Sequence, residues 1–457
     1  MRIAFYRDVR AVGGEVFLVG GAVRDRLLGR QTKDIDVLVR GVPAEQLHGI
    51  LSRHGRVEAT GRSFAVFKFI VAPGEAIDVA LPRVERSTGV GHADFDVQAD
   101  PGLKVEDDLG RRDFTINAIA QEVVSENLEL GALVDPFGGV ADIEKKLLRA
   151  VFERAFEEDA LRVLRGVQFA ARFGLDVEPA TLSLMRAAAP LLPTLSPERV
   201  IQEIGKLLGA PRPSVGFRLM HECGALATLF PELEAMRGVA QPPEFHIADV
   251  FDHTMLVLDN AATDSRLRKP GDVETLLAAL YHDVGKPPTK GTHPDNGRIT
   301  FFGHENISAD VTRKRLVHWK AGMIGADVDH VVTLVQNHLF AWGDEVSDRG
   351  VRRFIRKVGA ELVDKIIDLC IADLLSGAMP ERVEGVLAFR ERVDAELAKE
   401  PALSIRDLAV GGRDLMEIGY PAGPALGKEL ARLFELVTDD PALNERETLL
   451  SLVQKPE

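Results

Sequence analysis

The spacing of hydrophobic positions changes near residue 141. Before it come short runs rich in Val, Ile and Phe: "EVFLVG" (15–20), "DIDVLVR" (34–40), "FAVFKFIV" (64–71) and "AIDVALP" (76–82). Apolar residues in runs this short predict strands. Between them "AVRDRLLG" and "AEQLHGILSRHG" are each stopped by glycine and predict short helices. Beyond 141 the strand signal gives way to helical spacing, as in "EDALRVLRGVQFAARFG". "SPERVIQEIGKLLG" adds a Ser N-cap, a Pro at the first helical position and a Glu in the first turn. Helices are predicted to continue to the end, with "RLRKPGD" and "KPPTKGTHPDNGRIT" as exposed loops. With joints at "GVAQPPEF" and "KEPALS", the chain divides into an α/β domain (1–140) and helical segments 141–240, 241–400 and 401–457.

Composition adds bounds. A chain of 457 residues exceeds one ordinary core, which agrees with several domains. No window approaches a membrane span and no N-terminal signal segment is evident. Cys223 and Cys370 cannot build a disulfide framework, so a reducing cytoplasm is the expected location. The net charge of −14 argues against nonspecific coating of nucleic acid but leaves room for a local basic groove.

Three stretches of the first half carry candidate chemistry. In "GGAVRDRLLGRQTKDIDVLVR", Asp34 and Asp36 are two apart on a predicted strand and so project to one face, while Ile35 and Val37 face the core. Paired carboxylates repel unless a cation lies between them, and a hard ion such as Mg²⁺ takes oxygen ligands beside phosphate oxygens. Gly20 and Gly21 lead into a helix start suited to an anion, and Arg24 follows within its first turn. Asp78, on a later strand, is a candidate third carboxylate. "EDDLGRRDFTINAIA" supplies Arg111 and Arg112, planar forks for phosphate or base edges, and Asp113. In "EEDALRVLRGVQFAARFG", Asp159, Arg162 and Arg165 are spaced so that the first two share a helix face, an acceptor beside a donor that can read a base edge.

A second constellation follows. His253 lies in "FDHTMLVLD", His282 and Asp283 in "YHDVGKP", His304 in "FFGHENISA", His338 in "VVTLVQNHLFAW" and Asp373 in "KIIDLCIADLLSGA". Imidazoles and carboxylates are typical ligands for borderline transition ions.

Taken together, the first three stretches closely resemble class II tRNA nucleotidyltransferases that build the 3′ CCA end, relatives of bacterial poly(A) polymerases. "SPERVIQEIGKLL" and "GALATLFPEL" fit the later helical part of that family. The resemblance implies a polymerase β-like α/β head followed by an all-α neck, a further domain and a tail. It implies that Asp34 and Asp36 bind Mg²⁺ and that Gly21 and Arg24 contact the nucleotide. Arg112, Asp159, Arg162 and Arg165 would complete the pocket, with Asp159 and Arg162 reading CTP or ATP. The chain departs from the family at Gln168, where an arginine is usual, and a neutral amide holds a triphosphate less strongly.

The histidine constellation resembles the HD phosphohydrolase domain that some bacterial CCA-adding enzymes carry. His253, His282, Asp283 and Asp373 match its metal ligands, for an ion of the Ni, Mn, Fe or Co class. His304 and His338 match the extra histidines of members with a second metal, and Lys286 is placed to steady charge on a phosphate ester. The resemblance implies phosphatase and 2′,3′-cyclic phosphodiesterase activity. Residues 401–457 resemble the family's tRNA-binding tail, with Arg406, Arg413 and Lys428 available to tRNA phosphates. The full-length loop "PRVERSTGVGHADFDVQADPGLKVEDDL" favours complete CCA addition over CC-adding, and the absence of a strongly basic C-terminus disfavours a poly(A) polymerase. Further alternatives are A-adding enzymes, a nucleotide- or RNA-binding regulator with an inactive head, against which the intact Asp34 and Asp36 argue, and an enzyme whose main activity is HD phosphohydrolysis with the head docking tRNA.

Overall fold

The structure, a computed structural model, describes residues 3–31, 35–60, 66–72, 75–87, 95–343 and 345–454. Two compact units divide the chain: residues 1–210 with 215–231, and residues 211–214 with 232–457.

The first unit is built on a mixed sheet. Its strands are β1 (Glu15–Val19), β2 (Ile35–Arg40), β3 (Arg56–Thr60), β4 (Val66–Ala72) and β5 (Glu75–Ala80). β6 (Arg83–Ser87) and β7 (Phe95–Ala99) form a separate antiparallel ribbon inside the predicted loop. β8 (Ala120–Val123) and β9 (Leu130–Val134) complete the large sheet, whose order is β3-β4-β5-β2-β1-β8-β9. β2 and β5 run parallel, and every other pair in it is antiparallel. The central strands are apolar on both faces: Val37, Leu38 and Val39 of β2 are all buried, which is why that segment reads as a continuous apolar run. One face packs Phe17, Val19 and Leu38 against Val105, Leu109 and Ala118.

The helical part of this unit begins later than its spacing suggests. The segment 158–174 forms a helix only over Leu161–Phe173, closed by Gly174 in the left-handed conformation. Asp159 stands outside it, extended after the short helix Ala155–Glu158, and its carboxylate accepts a hydrogen bond from Leu161 N at 3.1 Å. That local bond satisfies a free amide at the helix start and competes with a continuous helix. The helix Pro197–Leu208 starts after Ser196 as predicted, though the serine side chain makes no capping bond. Strand pairing is not wholly absent beyond 141, since β10 (Leu147–Leu148) and β11 (Asp176–Val177) form a short parallel pair.

The second unit is helical. The helices Val250–Thr263, Val273–Tyr281 and Val328–Asn337 each start at an aspartate, Asp249, Asp272 and Asp327, whose carboxylate accepts from amides of the first turn. His304–His318 and Val363–Leu375 pack with them. The segment predicted as an exposed loop after Lys286 contains a short helix, Lys286–Thr289, and an antiparallel pair, β12 (Gly291–Thr292) with β13 (Ile299–Thr300). At the C-terminal end Leu408, Leu415, Leu433, Val437 and Leu449 form a small core of their own. Buried Arg352 ties that core to the rest of the unit, donating to the carbonyls of Thr438 and Asp439 at 2.7 Å each and pairing with Glu396 at 2.9 Å. Arg406, Arg413 and Lys428 are all exposed.

Candidate functional sites

In the head, Asp34 lies outside the described residues. Asp36 stands opposite Asp78 in the parallel β2–β5 register, so both side chains leave the same face of neighbouring strands, about 4.8 Å apart along the hydrogen-bonding direction. The segment carrying Arg111, Arg112 and Asp113 follows directly on Val105 and Leu109, which cover that face.

Gly20, at φ +62°, turns β1 into the helix Gly21–Leu27. A Cβ at Gly20 would lie 2.4 Å from Arg112 Nη1, so the guanidinium crosses the turn only because position 20 has no side chain. Arg24 is buried and donates to Asn117 Oδ1 at 2.6 Å and to Asp25 Oδ1 at 2.8 Å. Asn117 donates in turn to Asp113 Oδ1 at 2.9 Å, and Asp113 Oδ2 accepts from Arg165 at 2.7 Å. A continuous relay therefore joins the glycine turn to the Leu161–Phe173 helix, across more than a hundred residues of sequence. Burial alone would raise the Asp113 carboxyl, but Arg165, Asn117 and the amide of Phe114 together hold it below its ordinary value. Stacked Phe169 and Phe173 support the cations: Arg24 lies over both rings, Arg165 over Phe169, and Arg30 and Arg172 over Phe173.

Asp159 and Arg162 do not form a pair on one helix face. Asp159 pairs with Arg199 of the neighbouring helix at 2.9 Å, and Arg162 donates to the carbonyls of Ala155 and Arg111. Arg111 and Arg112 both engage Asp108. Gln168 is buried and accepts from Arg172 at 3.0 Å, so the amide orients the guanidinium one turn further along. Asn117 and Arg199 were not legible as site residues, because an asparagine in "TINA" and an arginine in a helix start carry no spacing signal of their own.

Asp113→Asn keeps the shape of the relay but leaves Arg165 facing a neutral group. We expect the variant to lose about 2 kcal/mol of stability in the first unit at pH 7, measured by urea unfolding. Because the folded carboxyl is depressed, its contribution is full above the ordinary carboxylate range and is lost as pH falls from that range through the lower folded value. The gap between wild type and variant should therefore close on acidification below about pH 4.

In the second unit the six candidate ligands meet in one place. His253 and Asp373 come from helix interiors, His282 and His338 from positions just past helix ends, and His304 from a helix start after Gly303. They form two groups, His253–His282–Asp373 and Asp283–His304–His338, each with ligand atoms within 4.8 Å of one another. The carboxylate of Asp283 faces both groups. Its Oδ2 is 3.2 Å from His282 Nε2 and 4.0 Å from His253 Nε2, and its Oδ1 is 3.3 Å from His304 Nε2 and 3.9 Å from His338 Nε2.

The hydrogen bonds behind these side chains fix what they present. Nδ1 of His282, His304 and His338 lies 2.7–2.9 Å from the carbonyls of Ala279, Phe301 and Val335, and Nδ1 of His253 lies 3.4 Å from Ser376 O. A carbonyl only accepts, so each Nδ1 carries a proton and each ring turns its Nε2 inward. Buried His253 Nε2, His282 Nε2 and Asp283 Oδ2 make no hydrogen bond of acceptable geometry despite these short approaches. Buried polar atoms left without a hydrogen-bond partner are costly, and a bound cation would remove that cost.

Electrostatics fit the same reading. Burial alone would raise Asp283, but His282 and Lys286 hold it well below the usual carboxylate range. Asp373 is likewise held low against burial, chiefly by His253. Burial and then His282 push His338 down to about 4, so it is a neutral ligand at neutral pH. Lys286 is buried, with Nζ 2.6 Å from Asp283 Oδ2 and donating to Gln241 at 2.7 Å, so part of its charge balances the ligand carboxylate. His246, edge-on to His253 with ring centroids 4.7 Å apart, is a cavity residue that the sequence did not single out.

Gly285 explains the small residue after "HDV". A Cβ there would lie 2.3 Å from His304 O and 2.8 Å from Ser308 N. Its own amide donates to Ser308 Oγ at 2.9 Å. Gly285→Ala is expected to push the His304 helix away and open the Asp283–His304–His338 group, lowering bound metal per chain at least severalfold by elemental analysis.

Residues 16–149 match the family described as "Poly A polymerase head domain", residues 174–237 "Probable RNA and SrmB- binding site of polymerase A", and residues 250–378 "HD domain". Over 430 residues the chain is 39% identical to the Multifunctional CCA protein of Stenotrophomonas maltophilia, covering 92% of this chain and 97% of that one. The chain belongs to the multifunctional CCA protein family. A second family member, from Thioalkalivibrio sulfidiphilus, is 43% identical over 303 residues, 65% of this chain and 68% of its own. The fold is shared with the CCA-adding enzyme of Bacillus stearothermophilus, solved in complex with CTP, at a TM-score of 0.70, 24% identity and 98% and 96% coverage. It is also shared with the Thermotoga maritima CCA-adding enzyme complexed with tRNA, at a TM-score of 0.58, 21% identity and 98% and 92% coverage. The α/β head, helical region and HD domain of the family are therefore those of this chain.

Proposed function

We propose that this multifunctional CCA protein adds or repairs the 3′ CCA end of tRNA with CTP and ATP, and that its HD domain hydrolyses phosphate esters. The observation that carries the first activity is the Asp36–Asp78 register on adjacent strands, beside the Arg24–Asn117–Asp113–Arg165 relay. Carboxylates on one side and guanidinium groups on the other suit a triphosphate between them. With Asp34, these carboxylates would hold Mg²⁺, which when bound lowers the pKa of the attacking hydroxyl and offsets charge on the triphosphate. Gly20 and Gly21 keep the turn open, and Arg24 and Arg112 face the phosphates. Arg162 and Asp159, each fixed by a partner from another segment, would present base-reading groups from two elements instead of one helix face. A rigid acceptor and donor can choose between cytosine and adenine without a template strand.

Residues 1–140 are the transferase head and 141–240 the neck and tRNA-binding body, with the HD domain over 241–400. The exposed Arg406, Arg413 and Lys428 of residues 401–457 would meet tRNA phosphates. Among the described residues no helix is long and apolar enough to cross a membrane. Cys223 and Cys370 are free and buried, as suits the cytoplasm.

In the HD domain, one or two divalent ions of the Ni, Mn, Fe or Co class would activate water and stabilise charge on a phosphate ester. Asp283 would bridge the two ligand groups, and the Nδ1 contacts of the four histidines fix the tautomer that presents Nε2 to an ion.

The test incubates the protein with tRNA lacking CCA, Mg²⁺ and labelled CTP or ATP, singly and together. Complete addition that needs both nucleotides supports the proposal. Incorporation of C alone would make it a CC-adding enzyme, of A alone an A-adding enzyme, and long A tracts a poly(A) polymerase.

A further inference from the structure

The cavity over the HD ligands is larger than a phosphate requires. Its volume is about 1190 Å³, and His253, Asp283, His304, His338 and Asp373 all line it. Pockets of several hundred Å³ already enclose a drug-sized ligand. One wall comes from the segment 293–302, which carries β13 with Arg298 just before it and Phe302 just after.

Phe302 is the feature that packing leaves unexplained. It is 77% exposed, more than any other large hydrophobic side chain among the described residues, yet it lines this cavity. It stands two residues before His304, so the two Cα atoms are at most about 7 Å apart. Arg298 is stacked over Phe245 on the same lining, 4.7 Å from the ring centroid. Lys286, Lys357 and Arg382 also line the cavity, and Glu305 is the one carboxylate of the lining outside the ligand groups. On a chain with a net charge of −14 that balance is local and favours an anion. An exposed aromatic face within one nucleotide's reach of a phosphate-cleaving centre, among cations, is the arrangement that holds a base by stacking.

We propose that Phe302 is the platform for the nucleobase adjoining the phosphate that the HD site cleaves, so that this site selects nucleotide phosphates over alkyl phosphates. The inference rests on the hydrolase reading of the HD domain and adds its specificity determinant. Arg298 and its neighbours attract the anion, and the base then stacks on Phe302 beside the ligand groups.

The test compares adenosine 3′-phosphate with glycerol 2-phosphate, both monoesters of secondary alcohols, for wild type, Phe302→Ala and Phe302→Trp under the same divalent ion. The ratio of kcat/KM for the nucleotide over the alkyl ester should fall about tenfold in Phe302→Ala, through KM, and be kept in Phe302→Trp, since stacking on an aromatic side chain contributes roughly 1–3 kcal/mol per base. As a readout independent of turnover, 2-aminopurine riboside 3′-phosphate should lose fluorescence on titration with wild type and much less with Phe302→Ala. An unchanged ratio, or equal quenching by both proteins, overturns the platform. If wild type cleaves neither ester, the hydrolase reading fails, and the quenching comparison alone decides whether the base stacks on Phe302.

Discussion

Asp36→Asn should lower nucleotide incorporation into tRNA by at least about 10³-fold while leaving hydrolysis by the HD domain intact. The substitution preserves side-chain size at a half-buried strand position, so the sheet should fold as before. What it removes is one negative charge from the Asp36–Asp78 pair, the feature for which a divalent cation would be required. An amide oxygen is a weaker ligand for a hard ion, and the two carboxylates that remain, Asp34 and Asp78, would hold the metal less tightly beside the triphosphate. Incorporation of labelled CMP and AMP measures the first effect, and release of phosphate from a nucleotide ester measures the second. Retained incorporation would refute the assignment of this strand pair to catalysis. Parallel loss of both activities would argue against two separate sites.

The converse variant is Asp283→Asn. Hydrolysis should fall by at least about 10³-fold, and bound transition metal should drop to near zero, while CCA addition persists. Asp283 is the residue shared by both histidine groups, so its charge is lost to both at once. The substitution also leaves Lys286 buried beside a neutral amide, and a fall in melting temperature should accompany the loss of activity. His282→Ala separates these effects, because it removes a ligand without disturbing the Lys286 contact. It should abolish hydrolysis with a smaller change in stability. Elemental analysis and phosphate release check the metal and the activity, and full metal content in Asp283→Asn would sink the bridging role.

The strands carrying the head carboxylates were legible for two reasons: β2 is buried on both faces at Val37, Leu38 and Val39 and so reads as a continuous apolar run, while β5 alternates, with Ile77 and Val79 buried and Asp78 exposed. β3, β6 and β7 were not, since "RVEAT", "RVERS" and "FDVQA" mix charge into short runs and leave little apolar pattern to read. The six candidate ligands of the HD domain were legible from residue type and spacing, because a metal site would need those few donors whatever surrounds them. The proposed base-reading pair, Asp159 and Arg162, was half legible. Its residues were named, but the shared helix face was not formed, because Asp159 caps Leu161 and leaves the helix. A periodicity argument cannot see a side chain competing for a backbone amide. Nor could it see Gln168 turning inward to orient Arg172.

By itself the sequence determined the order of head, helical region and HD domain, placed carboxylates on β2 and β5, and named the six His and Asp residues that the HD domain brings together. Those are matters of residue type and local period, which act over a few residues. Tertiary structure alone decided that Asp36 faces Asp78, that Asn117 links Arg24 to Asp113, that Asp283 serves both histidine groups, and that Phe302 stands exposed above them. Each depends on strand register or on the approach of segments far apart in the chain, and those are fixed by packing of the whole unit and not by any local pattern.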